Sequence, residues 1–159
     1  MSRKLQNLLD QPGRTILFAG VGNVLKKDDG VGVSIAQKIR EGNGIGALPV
    51  EMGIENHIGK INRLAPDVLV IIDACDFGRE PGYAEMAMAS DMTGMTTNTH
   101  NITLAKLSQL FNMPVYILGM QPADISFGEG MDARVNETAE RITAMINSKA
   151  MKYLLSDQK

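Results

Sequence analysis

Two adjacent carboxylates, Asp28 and Asp29, follow an apolar run and a glycine pair within the stretch Thr15 to Gly32, TILFAGVGNVLKKDDGVG. A third carboxylate, Asp73, closes the β-branched run Val68 to Ile72, and His100 ends the polar passage Ala89 to His100. Two carboxylates and an imidazole make a hard-to-borderline donor set that suits a divalent cation with positions left for substrate, or a water to be activated. The glycines alone would suggest a phosphate cradle, but the details exclude it. The third glycine of a G-x-G-x-x-G pattern falls on Leu25, no Gly-Lys-Ser/Thr precedes the helix, and two aspartates repel an anion. An aspartate in this place ordinarily caps the helix that follows, and two adjacent ones leave one over. His57 falls among polar neighbours on an expected helix and reads as a surface or partner-facing residue. Cys75 lies in Asp-Ala-Cys-Asp, an acidic setting that raises a thiol pKa, so a small buried residue is expected there in preference to a nucleophile. Met86, Met88, Met92 and Met95 suit either an adaptable binding surface or core and loop filling, and the latter is expected.

The elements that must position these residues follow from hydrophobic period and breakers. Ile16 to Ala19 reads as a strand ending at the Gly20-Val21-Gly22-Asn23 loop, and Val31, Ile35 and Ile39 give a helix over Val31 to Glu41. A short strand is expected over Leu48 to Met52, and a helix over Ile54 to Leu64 that stops before Pro66. Val68 to Ile72, uninterrupted and mostly β-branched, reads as a central strand covered on both faces. Tyr83 to Met88 is expected to return beside that strand, followed by a helix over Ile102 to Phe111 capped by Thr99 or Asn101. Val115 to Met120 gives another buried strand, and a final helix from Asp132 carries the stripe Val135, Ala139, Ile142 and Ile146 before fraying after Ser148. Strands alternating with helices predict a three-layer α/β sandwich, with a central, mainly parallel mixed sheet flanked by helices on both faces. Functional groups in such folds gather outside the carboxyl ends of the strands. Asp29 follows the first strand, Asp73 ends the third, and a ten-residue connection reaching roughly 33 Å lets His100 join them.

At 159 residues and 17.2 kDa, one domain over 1–159 is expected, with its core over about 15–148. No apolar run approaches the roughly 20 residues that span a bilayer. The polar segment Met1 to Gln11 lacks the apolar core of a secretory signal, so a cytoplasmic location is expected. A single cysteine allows no internal disulfide and no Cys-x-x-Cys metal site. A net charge of −2 and 4% aromatic residues leave no footprint for nucleic acid. A monomer is expected.

The order Gly20-Val21-Gly22-Asn23, Asp28-Asp29-Gly30-Val31-Gly32, Ile72-Asp73-Ala74, Thr97-Asn98-Thr99-His100-Asn101 and Gly119-Met120-Gln121-Pro122 resembles the maturation endopeptidases of nickel–iron hydrogenases. The resemblance covers nearly the whole chain. It implies an endopeptidase that trims a C-terminal extension from the hydrogenase large-subunit precursor after nickel insertion. Its metal-contacting residues fall on Asp29, Asp73 and His100, while Asp28 receives no assigned duty and is left to cap the helix or shape the loop. The nickel is expected to arrive with the substrate, with no tightly bound intrinsic cofactor. Two other readings stand beside this one. A non-hydrolytic docking or delivery protein would use the same three residues. A peptidyl-tRNA hydrolase also opens on a strand and a glycine-asparagine turn, but its downstream His-Asn pair is missing and this chain is acidic.

Overall fold

The computed structural model describes residues 2–51, 53–92 and 104–156. In chain order its elements are α1 (Ser2–Leu9), β1 (Ile16–Val21), a 3-10 turn (Lys27–Gly30), α2 (Val31–Lys38), β2 (Ile45–Val50), a second 3-10 turn (Ile54–His57), α3 (Ile58–Leu64), β3 (Val68–Ala74), β4 (Ala84–Met88), a third turn (Ala89–Asp91), α4 (Leu104–Ser108), β5 (Val115–Met120) and α5 (Ala133–Ser156). The strands form a sheet in the order β2-β1-β3-β5-β4, parallel at every pairing except β4 with β5. Side chains of β1 and β3 alternate between two separate cores, as the two-residue period of a strand requires. Phe18, Val70 and Ile72 pack with Leu5 of α1, Ile35 of α2 and Ile142 of α5. Leu17, Leu69 and Ile71 pack on the opposite face with Ile61 of α3 and Leu107 of α4. This is the expected α/β sandwich, with helices over both faces of a mainly parallel mixed sheet.

Several element boundaries depart from the sequence expectations, each for a local reason. The polar segment before Gln11 contains α1, whose Leu5, Leu8 and Leu9 are buried. Three apolar residues at helical spacing suffice when a core waits to receive them. Strand β1 runs on through Gly20 and Val21. Helix α2 ends at Lys38, because Ile39 turns to extended backbone (ψ 132°) and the Arg40 N–H donates to Asn147 Oδ1 at 2.8 Å. Strand β2 lies over Ile45–Val50 and not Leu48 to Met52, and it tolerates Pro49 because it is a sheet edge. Strand β4 pairs with β5 instead of lying beside β3, so β5 occupies the position next to β3. Helix α5 continues to Ser156 in place of fraying after Ser148, held by the buried Ala150 and by Asn43 Nδ2, which donates to the Lys149 carbonyl at 2.9 Å. The helix expected over Ile102 to Phe111 is described only from Leu104, and Phe111, not Leu110, joins the core.

Two glycines bring α2 close to the sheet. A Cβ on Gly32 would collide with the carbonyl oxygens of Ile72 and Val21, and one on Gly20 would collide with the Gly32 carbonyl. The start of α2 therefore rests directly on the backbone of β1 and β3. That contact carries the 3-10 turn holding Asp28 and Asp29 onto the end of β3.

Candidate active site

Strand order reverses around β1. The chain leaves β1 through α2 on one face to reach β2, then crosses by α3 on the other face to reach β3 on the far side. Adjacent connections that depart in opposite directions open a crevice at the carboxyl ends of β1 and β3, the ligand-binding position of open α/β sheets. Asp29 and Asp73 both belong to this rim. Asp29 lies on the 3-10 turn that follows β1, and Asp73 is the penultimate residue of β3. Both are nearly inaccessible, at 3% and 2% exposure. Each has one oxygen fixed by a backbone donor. Asn23 N–H donates to Asp29 Oδ2 at 3.0 Å, and Ala74 N–H donates to Asp73 Oδ1 at 2.8 Å. His100, with the rest of Thr97-Asn98-Thr99-His100-Asn101 and Met95, lies outside the described residues. Among the described residues no three His, Cys, Asp or Glu side chains converge to hold a metal ion.

Asp28 does not cap α2, whose N-cap position is Gly30 with no side-chain bond. It shapes a loop instead. Its carboxylate, 1% exposed, accepts the N–H groups of Ala123 and Asp124 at Oδ2 (2.8 and 3.0 Å) and of Asp132 at Oδ1 (2.8 Å). These donors lie about a hundred residues away in sequence, in the connection between β5 and α5. The backbones reinforce the junction: Asp28 N–H donates to the Asp124 carbonyl at 3.1 Å, and Gly128 N–H donates to the Leu25 carbonyl at 3.0 Å. Of two adjacent aspartates, Asp28 holds the loop junction, and Asp29 lies at the strand ends with the Asn23 N–H on its Oδ2. The sequence carried a signal for this in the surplus acid beyond what a cap requires.

Gln121 is a structural residue that sequence reasoning placed in a motif without a role. It is buried, its Oε1 accepts the N–H groups of Phe77 (2.6 Å) and Arg79 (3.3 Å), and its own N–H donates to the Tyr83 carbonyl at 2.7 Å. It ties down the loop that follows Asp73. A glutamine just past a buried strand, where neither core nor solvent needs an amide, was the available clue.

Cys75 is fully buried, and the thiol pKa is pushed well up, first by burial and then by the charge of Asp73. A protonated thiol in an apolar core is no nucleophile. His57 is half-buried between the second 3-10 turn and α3, with Nδ1 3.4 Å from the Gly53 carbonyl. Met86 and Met92 are buried and fill core. A surface depression of about 490 Å³, lined by Gly13, Thr15, Gly44 and Lys149 among others, opens at the amino ends of the strands. A second, smaller cavity, lined by Val24, Lys27, Gly30 and Met131 among others, lies by the turn that carries Asp28 and Asp29.

Residues 52–149 match the family model described as hydrogenase maturation protease. The chain belongs to that family. Over 133 residues it is 32% identical to the hydrogenase 3 maturation protease of Escherichia coli K12, covering 77% of this chain and 82% of that protein. The solution structure of the endopeptidase HycI from Escherichia coli superposes with a TM-score of 0.70 at 29% identity, covering 84% of this chain and 90% of that one. The crystal structure of the NiFe hydrogenase maturation protease HycI from Thermococcus kodakarensis shares the fold, with a TM-score of 0.77 at 24% identity over 94% of this chain and 99% of that one. The hydrogenase maturation protease match includes Asp73 and His100 and begins after Asp29.

Proposed function

We propose that this hydrogenase maturation endopeptidase removes the C-terminal extension of a nickel–iron hydrogenase large-subunit precursor after nickel insertion, with Asp29, Asp73 and His100 contacting the metal. The observation that carries the reading is the pair of buried carboxylates, each oriented by a backbone N–H, at the rim where the strand order reverses. Carboxylate oxygens are suitable donors for a divalent ion, and backbone bonds to them fix the carboxylate planes before any metal arrives. The nickel belongs to the substrate in this reading: it is held by the precursor and meets the two carboxylates and the imidazole when the precursor docks. As a Lewis acid it would polarise a carbonyl or a bound water. The protein's own part is to hold Asp29 and Asp73 rigidly, to keep Cys75 out of the chemistry, and to bind a free ion too weakly to act without the precursor.

Metal loading then serves as the specificity check. Such a check requires tighter engagement of the loaded precursor than of the empty one, since equal affinity discriminates nothing. The test incubates the purified protein with nickel-loaded and nickel-free precursor and reads the mass of each product. The expected result is loss of the C-terminal segment from the loaded form only. Equal cleavage of both would end the nickel check and leave the peptidase standing. Nickel-dependent binding without cleavage would favour the delivery protein.

A further inference from the structure

The two loops that Asp28 joins carry a cluster of apolar side chains that the core does not use. Val24 and Leu25 (66% exposed) lie on the loop after β1, and Ile125 and Phe127 (73% exposed) lie on the connection from β5 to α5. A parallel bridge between Lys26 and Gly128 sets the two tips side by side, with Lys27 N–H donating to the Gly128 carbonyl at 3.3 Å. Lys27 Nζ pairs with Asp124 at 2.8 Å across the same junction. Lys26 extends its ammonium over the Phe127 ring, 5.0 Å from the centroid, and forms no ion pair among the described residues. Exposed large apolar residues on loops held this firmly mark an interaction surface, because nothing in the fold requires them there.

The patch lies beside the carboxylate crevice. Asn23, whose N–H holds Asp29, is followed directly by Val24 and Leu25, and its Oδ1 accepts the Leu25 N–H at 3.0 Å. The patch therefore continues the wall of the crevice that contains the two carboxylates. A polypeptide placed across that crevice must run over one of its walls.

We propose that Leu25 and Phe127, with Lys26 between them, form the docking platform for the precursor, and that they receive an apolar segment of it bearing a carboxylate. The proposal rests on the peptidase reading above. Leu25 and Phe127 supply apolar area, Lys26, which has no ion pair among the described residues, supplies charge complementarity, and the buried Asp28 junction presents them already ordered, so little conformational freedom is lost on binding. These residues touch no reacting atom. They contribute to binding of the precursor and not to the chemical step.

The test measures cleavage kinetics of the precursor by wild type, by the double variant Leu25→Ser/Phe127→Ser, and by Leu64→Ser/Leu110→Ser, a control that removes two other exposed apolar residues away from the crevice. The expected result is a KM raised about tenfold or more in the first double variant, with kcat within about threefold of wild type. The control should match wild type, and all three should share one circular dichroism spectrum. Lys26→Gln should raise KM at low salt and flatten its dependence on ionic strength. Unchanged KM in Leu25→Ser/Phe127→Ser alongside active wild type would overturn the docking platform alone. Wild type that cuts no precursor would overturn the peptidase reading, and the platform with it.

Discussion

Asp28 and Asp29 are neighbours of one chemical type in different hydrogen-bond settings, and substitution should distinguish them. Asp28 accepts three backbone N–H groups in a buried setting, so Asp28→Ala leaves those donors without their acceptor. We expect a loss of about 3 kcal/mol or more in urea unfolding; an unchanged midpoint would show that solvent replaces the carboxylate. Asp29→Asn keeps an oxygen for the Asn23 N–H but removes the charge, and should abolish precursor processing with an unfolding midpoint close to wild type. Cys75 supplies a different test. Its native thiol holds its proton to higher pH than an unfolded one, chiefly through burial, while the unfolded value is near about 8.5. The unfolded chain therefore binds fewer protons above that pH, and the stability linked to this group is fully present below it and lost as pH rises. Thermal unfolding followed from about pH 8 to about pH 10 should fall less steeply for Cys75→Ser than for wild type, and Cys75→Ser should retain processing. Parallel slopes would remove the buried thiol from the account, and loss of cleavage in a folded Cys75→Ser would call for a thiol mechanism.

At the scale of elements, the approach of α2 to β1 and β3 sets where the Asp28–Asp29 turn lies. A methyl group at Gly32 has backbone oxygens in its way and no flexible side chain to displace. Gly32→Ala should lower stability by at least about 2 kcal/mol and impair processing in the fraction that folds. Gly59 on α3 is the contrast. It is exposed, and its added Cβ would meet only the end of the Arg63 side chain at 3.4 Å, so Gly59→Ala should raise stability by roughly 0.5–1 kcal/mol through helix propensity. Chemical denaturation of both variants gives the comparison, and a similar cost at the two sites would contradict the close contact at Gly32.

For the whole molecule, the two ends of the sheet carry different loads. The carboxyl end holds Asp29, Asp73 and the loop junction at Asp28, while the amino end is closed by the last turns of α5 against Asn43 and Arg40. Removing residues 149–159 deletes the buried Ala150 and the carbonyl that accepts from Asn43. The expected cost is about 1–3 kcal/mol in unfolding free energy, with processing by the folded protein unchanged because the cut lies at the far end of the strands. A truncated protein of normal stability and poor activity would place the end of α5 in contact with the site after all. No described helix is long and apolar enough to cross a membrane.

Hydrophobic period and turn chemistry were enough to determine the central strands and their class of fold. Val68 to Ile72 and Val115 to Met120 read as buried strands, which they are, and acids at strand ends pointed to the carboxyl rim as the place of chemistry. The order of motifs carried the family. Tertiary structure decided the rest, because the remaining choices depend on partners distant in the chain. The leucines of α1 become helical only against a core, β4 takes the outer edge because β5 already pairs with β3, and α5 persists past Ser148 because Asn43 meets it there. The different settings of Asp28 and Asp29 have the same cause. Their side chains are alike in the sequence, and only the backbone of the loop from Ala123 to Asp132, folded back onto one of them, makes them different.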